Sequence, residues 1–261
     1  MCAGAVACTS GDRPLRVGST HTLEQSGALA LLDSLWRGPR LAVVVAPSGQ
    51  ILHAAGAGDL DVVITHAPTL EERMLVRPGR AALVCPLVES RFAVVGPAAD
   101  PAGVRGAASA AEALARIARV RAPFVSRGDS SGTHVKELAI WRAAGIERRD
   151  PAWYLESGAD QATTLRIAME RRAYALADLP TLAREQGLDL RVLYAADTLL
   201  RNPYTLYVIR SAEPRPEAER FAAWAVDVWR TRLAEFALPD GTHAFTAAAG
   251  GCTASGAGVS P

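Results

Sequence analysis

Between Ala122 and Gly145 the chain reads A-P-F-V-S-R-G-D-S-S-G-T-H-V-K-E-L-A-I-W-R-A-A-G, and the polar part of that run has the residue types to hold an anion. Ser126, Ser131 and Thr133 carry hydroxyls, Gly128 and Gly132 let a guest approach the backbone, and Arg127 adds a fixed charge with a planar fork of donors. The same residues admit other chemistry. Gly128-Asp129-Ser130-Ser131-Gly132 fits the G-x-S-x-G of a nucleophile elbow, which would make Ser130 an attacking hydroxyl. Ser and Asp are also ordinary helix caps, so a third reading has the segment only starting a helix. From this stretch alone the three readings stay open.

The elements around it decide what the turn can do. Pro123-Phe124-Val125 suits a buried strand, and Val135, Leu138, Ala139, Trp141 and Arg142 fall at helical spacing before the stop at Gly145. The turn therefore lies at a helix N-terminus, where backbone N–H groups lack intrahelical partners and the dipole end is positive. Leu15–Gly18 makes a second such unit, with the polar turn Ser19-Thr20-His21-Thr22 and a helix over Glu24–Trp36 carrying Leu29, Leu32 and Trp36 on one face. A third runs from a buried strand, Leu41–Ala46, through Pro47-Ser48-Gly49 into a helix with Ile51, Leu52 and Ala55. Asp61–Thr65 is another strand and ends in His66-Ala67-Pro68. Strands alternating with helices predict an α/β fold with mainly parallel sheets, whose ligands bind where strands give way to helices.

Further on, Arg91–Gly96 reads as a strand and the Pro-, Ala- and Gly-rich Pro97–Gly106 as a crossing between lobes. Strands are expected at Trp153–Leu155, Tyr174–Leu176, Leu190–Leu193 and Thr205–Ile209, with helices over Ala110–Ala118, Thr163–Arg171 and Glu217–Phe236. The last helix would bury Phe221, Trp224, Val228 and Leu233. A chain of 261 residues has room for two lobes, and 49% hydrophobic and 21% charged residues at net charge +1 give no sign of a nucleic-acid or membrane-surface partner. No His/Asp/Glu cluster has metal-ligand spacing, and no DNA-binding helix-turn-helix is evident. Of four cysteines, Cys85 and Cys252 could pair in an oxidising compartment. Cys8, after Ala5-Val6-Ala7, resembles a lipoprotein cleavage box, so residues 1–14 read as the remnant of such a signal. Residues 246–261 are small and polar and are expected to be a disordered tail.

Several segments then match a known family in order: Ser126-Arg127-Gly128-Asp129 with Ser131-Gly132-Thr133-His134; Asp59 with Asp61-Val62-Val63 and His66-Ala67-Pro68; Val95-Gly96-Pro97 with Asp100-Pro101; Trp153-Tyr154-Leu155-Glu156; Ala173-Tyr174 with Asp178; and Asn202-Pro203-Tyr204. On these the chain resembles the substrate-binding proteins of tungstate ABC transporters, within the type II periplasmic binding proteins. The resemblance implies two α/β lobes, each a mainly parallel sheet flanked by helices, joined by a two-strand hinge: 15–95 plus 205–236 as lobe one and 96–204 as lobe two. It implies a site drawn from Ser19, Thr20, His21, Thr22, Ser48, Ser126, Arg127, Ser131, Gly132, Thr133, Thr163 and Tyr174. The expected ligand is tungstate, with molybdate or another tetrahedral oxyanion as the alternative.

An ABC permease is the implied partner, a monomer the expected state, and no cofactor or metal cation is expected. His21 would either donate to the anion or sit at the turn, and Tyr174 would close over the site or join the core. His66 reads as structural or supporting, Thr163 and Thr164 as caps or N–H donors, and Asp129 as the cap of the following helix. Gln25 and Ser130 stand where the family has aspartates, and Leu179 where it tends to have an arginine, which bears on the choice of anion. A hydrolase built on Ser130 would need a base, and neither His134, one helical turn on, nor His243 is well placed for it.

Overall fold

The computed structural model describes residues 13–213, 215–238 and 241–255. In chain order the first lobe opens with β1 (Leu15–Ser19), α1 (His21–Gln25), α2 (Ala28–Leu35), β2 (Leu41–Val45), α3 (Ser48–Ala57), β3 (Val62–Thr65) and α4 (Pro68–Glu71). The long β4 (Ala81–Gly96) leads into the second lobe. There follow α5 (Ala110–Arg119), β5 (Phe124–Ser126), α6 (Gly132–Ala143), β6 (Tyr154–Glu156), α7 (Gln161–Glu170), β7 (Ala175–Asp178), α8 (Leu179–Arg184) and β8 (Arg191–Tyr194). The chain returns through β9 (Arg201–Ile209) to α9 (Pro216–Trp224), α10 (Arg230–Ala234), β10 (Thr246–Ala247) and β11 (Thr253–Ala254).

Both sheets are mixed. In lobe one β1 is parallel to β2 and β3, whereas β9 lies antiparallel to β3 and to the first part of β4. In lobe two the end of β4 pairs antiparallel with β7 and β8, while β5 and β6 are parallel and reach Tyr174 through a parallel bridge from Phe124. Antiparallel pairing enters because β4 and β9 carry the chain across and back in opposite directions. The apolar core is correspondingly split: Val17, Ile64, Leu206 and Phe221 pack in the first lobe, and Phe92, Leu114, Phe124 and Trp141 in the second.

The sheets are thus not mainly parallel as expected, and four further expectations change. The crossing is not Pro97–Gly106: β4 pairs with β9 up to Arg91 and with β7 from Phe92, so the lobes meet inside one hydrogen-bonded strand. Ala102 and Val104 from the Pro- and Gly-rich segment are buried in lobe two. The strand at Leu41–Val45 is a sheet edge, paired only with β1 among the described residues, and Val43 and Val44 are exposed; an apolar run alone does not tell a central strand from an edge.

Residues 246–255 are not a disordered tail. β10 and β11 pair with β4, and Cys252 is disulfide-bonded to Cys85 with an Sγ–Sγ distance of 2.05 Å. Finally, the last helix widens over Ala225–Trp229 into i→i+5 geometry, which shifts its phase. Val226 and Trp229 consequently face the core, Trp224 is half-buried and Val228 is exposed.

Candidate functional site

Three strand-to-helix turns converge on the cleft between the lobes. In lobe one β1 ends at Ser19, and α1 begins two residues later instead of at Glu24. β2 delivers Pro47 to α3, whose first residue is Ser48. In lobe two β5 ends at Ser126 and α6 begins at Gly132. Gly128 takes a φ of 63°, and a Cβ there would lie 2.6 Å from that of Glu156, so only glycine lets the turn bend back over β6.

The side chains of these turns are buried without being satisfied. The hydroxyls of Ser19, Ser48, Ser126 and Thr133 are all inaccessible, and none has a hydrogen-bond partner in the protein. Ser126 lies close enough to Glu137 and Tyr154 to bias their titration, yet makes no hydrogen bond of ordinary geometry to either. A buried hydroxyl left unpaired costs about 1–3 kcal/mol, so several around one cleft mark a place built for a polar guest.

Arg127 is 2% exposed. Its Nη2 is ion-paired with Asp129 and its Nε donates to the Ala159 carbonyl at 3.3 Å. Burial pulls its pKa down against the opposing pull of Asp129, and its charge is felt by His66 in lobe one. Asp129 does not cap the helix. It accepts the Ser131 N–H at 3.1 Å and holds the guanidinium, while the Ser131 hydroxyl is the cap, accepting the His134 N–H at 3.2 Å. A hydroxyl that accepts a bond still has a proton to give.

Thr20 and Thr22 are buried within a network that runs to the hinge. The carboxylate of Asp178 accepts from Ser90 Oγ, Asn202 Nδ2, and the amide and hydroxyl of Thr181. This fixes the Asn202 amide with its oxygen toward His66 Nδ1 at 2.8 Å. His66 therefore carries its proton on Nδ1 and accepts at Nε2 from Thr22 Oγ1 at 3.2 Å, while Tyr204 OH donates to Thr22 at 2.9 Å. The Thr22 proton is thus spent on His66, so Thr20 is the donor in its 3.1 Å bond to Thr22, and its proton reaches a guest only by giving that bond up. Burial, aided by the charges of Arg127 and Lys136, lowers the His66 pKa to about 4, so the ring is neutral at physiological pH. Burial raises Asp178 to about 6.

Other expected residues stand apart from this cluster. The His21 side chain reaches Glu24 at 3.6 Å and is partly exposed. Thr163 is exposed and gives its N–H to the capping carboxylate of Asp160; the buried threonine of that turn is Thr164, bonded to the Asp160 carbonyl and to Ser157. Tyr174 is core: its OH donates to Asp100 and accepts the Ala102 N–H, pinning the loop after β4. Ser130 is exposed at a φ of 56°, its hydroxyl donates to the Asp129 carbonyl, and His134 Nδ1 accepts the Ser130 N–H, so no histidine addresses that hydroxyl. Among the described residues, no group of three or more His, Cys, Asp or Glu is placed to hold a metal cation.

Sequence reading missed Asn202, Ser90 and Tyr204 as partners of the first turn, and Gln25 as a bridge, since its Oε1 accepts the Ala162 N–H across the cleft at 3.2 Å. Asn202-Pro203-Tyr204 did stand out as a motif, but its partners lie far away in the chain.

Two lobes on a crossed pair of strands, with helix N-termini and unpaired hydroxyls facing a cleft, define a solute-binding protein. Residues 10–228 match the PBP superfamily domain, and the chain belongs to that superfamily. It is 32% identical over 207 residues to the tungstate-binding protein TupA of Peptoclostridium acidaminophilum, covering 77% of this chain and 72% of that one. A Haloferax volcanii protein provisionally named as an ABC transporter anion-binding protein is 36% identical over 222 residues; the match takes in 80% of this chain and 64% of that relative's length.

Among solved structures, the tungstate binding protein from Desulfovibrio alaskensis superposes with a TM-score of 0.73 at 30% identity, covering 91% of this chain and all of its own. The tungstate ABC transporter protein from Geobacter sulfurreducens gives 0.71 at 33% identity, with 83% and 95% covered.

Proposed function

We propose that this protein captures tungstate, or failing that molybdate or a similar tetrahedral oxyanion, outside the cytoplasmic membrane and hands it to an ABC permease. The observation that carries the reading is the set of partnerless buried hydroxyls, Ser19 and Ser48 from one lobe and Ser126 and Thr133 from the other, around a buried arginine. The names of the tungstate-binding relatives support the choice of anion. The Cys85–Cys252 bond suits an oxidising compartment, and no helix of the described residues is long and apolar enough to cross a membrane. Cys8 lies outside the described residues; its lipidation belongs to the same proposal and would appear as added acyl mass. The protein works as a monomer with no resident cofactor.

The chemistry follows from what the cleft offers. A fully ionised oxyanion needs donors, and the hydroxyls of Ser19, Ser48 and Thr133 have no competing acceptor. The Gly49 N–H of α3 is given to the Ser130 carbonyl and the His134 N–H of α6 to the Ser131 hydroxyl, so the amides left for a guest are those of the residues that open each helix before them. Nε and Nη2 of Arg127 are engaged by protein acceptors, which leaves Nη1 as the arm for a guest. Closing the lobes without a guest would strand these hydroxyls, so closure is unfavourable until an anion satisfies them; binding and closure are one event.

A thermal-shift series with tungstate, molybdate, sulfate, phosphate and chromate tests this. A ligand at about 1,000 times its Kd should add roughly 4 kcal/mol to stability. No shift with any of the five anions refutes the proposal.

A further inference from the structure

Glycines at two of the strand-to-helix turns meet the opposite lobe. A Cβ built on Gly132, the first residue of α6, would lie 2.6 Å from Cε1 and 2.7 Å from Nδ1 and Nε2 of His66, just after β3. Real Cβ atoms do not approach so closely, so residue 132 is bare because the face of the imidazole lies against it. The ring has no room to withdraw. Tyr204 stacks on it with centroids 4.8 Å apart and planes at 21°, Asn202 and Thr22 hold its two nitrogens, and it is 2% exposed. The second contact is softer. Gly49 of lobe one gives its N–H to the Ser130 carbonyl at 3.2 Å, and a Cβ there would sit 3.1 Å from that oxygen.

We propose that His66 is the positioning residue of lobe closure. Its ring, clamped between Tyr204 and Gly132, is the fixed stop on which α6 lands, and the same ring takes the Thr22 proton and ties the first turn through Asn202 to Ser90 on β4 and Asp178 at the end of β7. The seat, the stop and the hinge strands are thereby one hydrogen-bonded unit, and the amides of α6 reach the anion only at the distance the bare Gly132 permits. This rests on the oxyanion-binding reading. It adds to that reading by naming what sets the closed distance between the lobes.

The test uses the full chain with sodium tungstate, reading affinity by calorimetry and closure by the fall in radius of gyration in X-ray scattering. Gly132→Ala should weaken tungstate binding about tenfold or more and suppress the compaction, while Gly251→Ala, with no atom within 4 Å of its Cβ position, should bind like wild type. His66→Ala should itself bind more weakly, and adding Gly132→Ala to it should change affinity by less than about twofold, because no ring remains to collide with. His66→Gln, which keeps a donor and an acceptor, should recover part of the loss in His66→Ala.

The proposal is overturned if Gly132→Ala binds and compacts like wild type, or if it lowers affinity by the same factor with and without the His66 ring. If Gly132→Ala alone does not fold, a folded double variant supports the proposal and an unfolded one overturns it. If the unsubstituted protein binds none of the five oxyanions, the function fails and this inference falls with it; if it binds and compacts while Gly132→Ala does so equally, only the inference fails.

Discussion

Replacing Arg127 by Met separates the affinity of the seat from the stability of the fold. In the structure the guanidinium is 2% exposed, ion-paired to Asp129 through Nη2 and bonded to the Ala159 carbonyl through Nε. A charge-assisted hydrogen bond contributes roughly 1.5–3 kcal/mol, and Nη1 can make one or two to an oxyanion. The substitution also leaves the Asp129 carboxylate, 9% exposed, facing a guest of like sign. The combined loss in binding is about 2–5 kcal/mol, or roughly a 30- to 5,000-fold rise in Kd. The fold should suffer separately, because Asp129 then stands uncompensated, at about 3–5 kcal/mol.

Arg127→Met/Asp129→Asn removes that second effect. It should recover much of the anion-free melting temperature while leaving tungstate affinity depressed. Competition calorimetry gives the affinities, and denaturant titration without anion gives the stabilities. Tungstate binding by Arg127→Met within about threefold of wild type would refute the placement of Arg127 at the seat.

Thr133→Ala and Ser48→Ala each delete a buried hydroxyl without a protein partner; each should weaken tungstate binding by about 1–2 kcal/mol while leaving anion-free stability unchanged or slightly higher, an opposition that paired calorimetry and chemical denaturation can read. Burial raises Glu137 from 4.5 to about 7, so its contribution to stability is fully present below pH 4.5 and lost as pH rises through 7. Glu137→Gln should flatten the stability profile over that window by on the order of 3 kcal/mol, measured by urea titration at several pH values. The reverse sign applies to His66, lowered to about 4 from 6.5: its contribution is present above pH 6.5 and is lost on acidification toward pH 4, and a His66→Gln variant should lose that part of the acid sensitivity. Cys252→Ser opens a link across 167 residues and should cost on the order of 2–5 kcal/mol in denaturant, an effect reproduced by reducing the wild type.

What could be read from the chain alone was whatever depends on neighbours in sequence. The central turn announces itself because Ser126, Arg127, Gly128 and Gly132 lie within seven residues of one another, and small residues before a helix have one physical meaning. The His66 assembly is invisible at that level, since its ring is set by Asn202, 136 residues away. The crossing was misplaced because a Pro- and Gly-rich composition resembles a linker, whereas a strand shared by two sheets carries no compositional mark. Val228 was assigned to the core on a period of 3.6, which fails where the helix widens over Ala225–Trp229. The small polar residues at 246–255 lack an apolar pattern of their own, and they are ordered by pairing with β4 and by the disulfide instead.

The charge arithmetic of the cleft bears on how such a seat can both hold and release its guest. Among the described residues Arg127 is the one buried arginine or lysine, its charge is already paired with Asp129, and His66 is neutral. A doubly negative guest therefore meets little net positive charge when the lobes are apart. Its stabilisation comes from helix amides and hydroxyls that converge only on closure, and these are worth more once water is excluded. Affinity built this way is conditional on the distance between the lobes. Anything that parts α6 from His66, a bulkier residue at 132 or a permease prying at the cleft, dismantles the seat without having to neutralise a charge. Retention and release would then be set at one contact, between a glycine and an imidazole face.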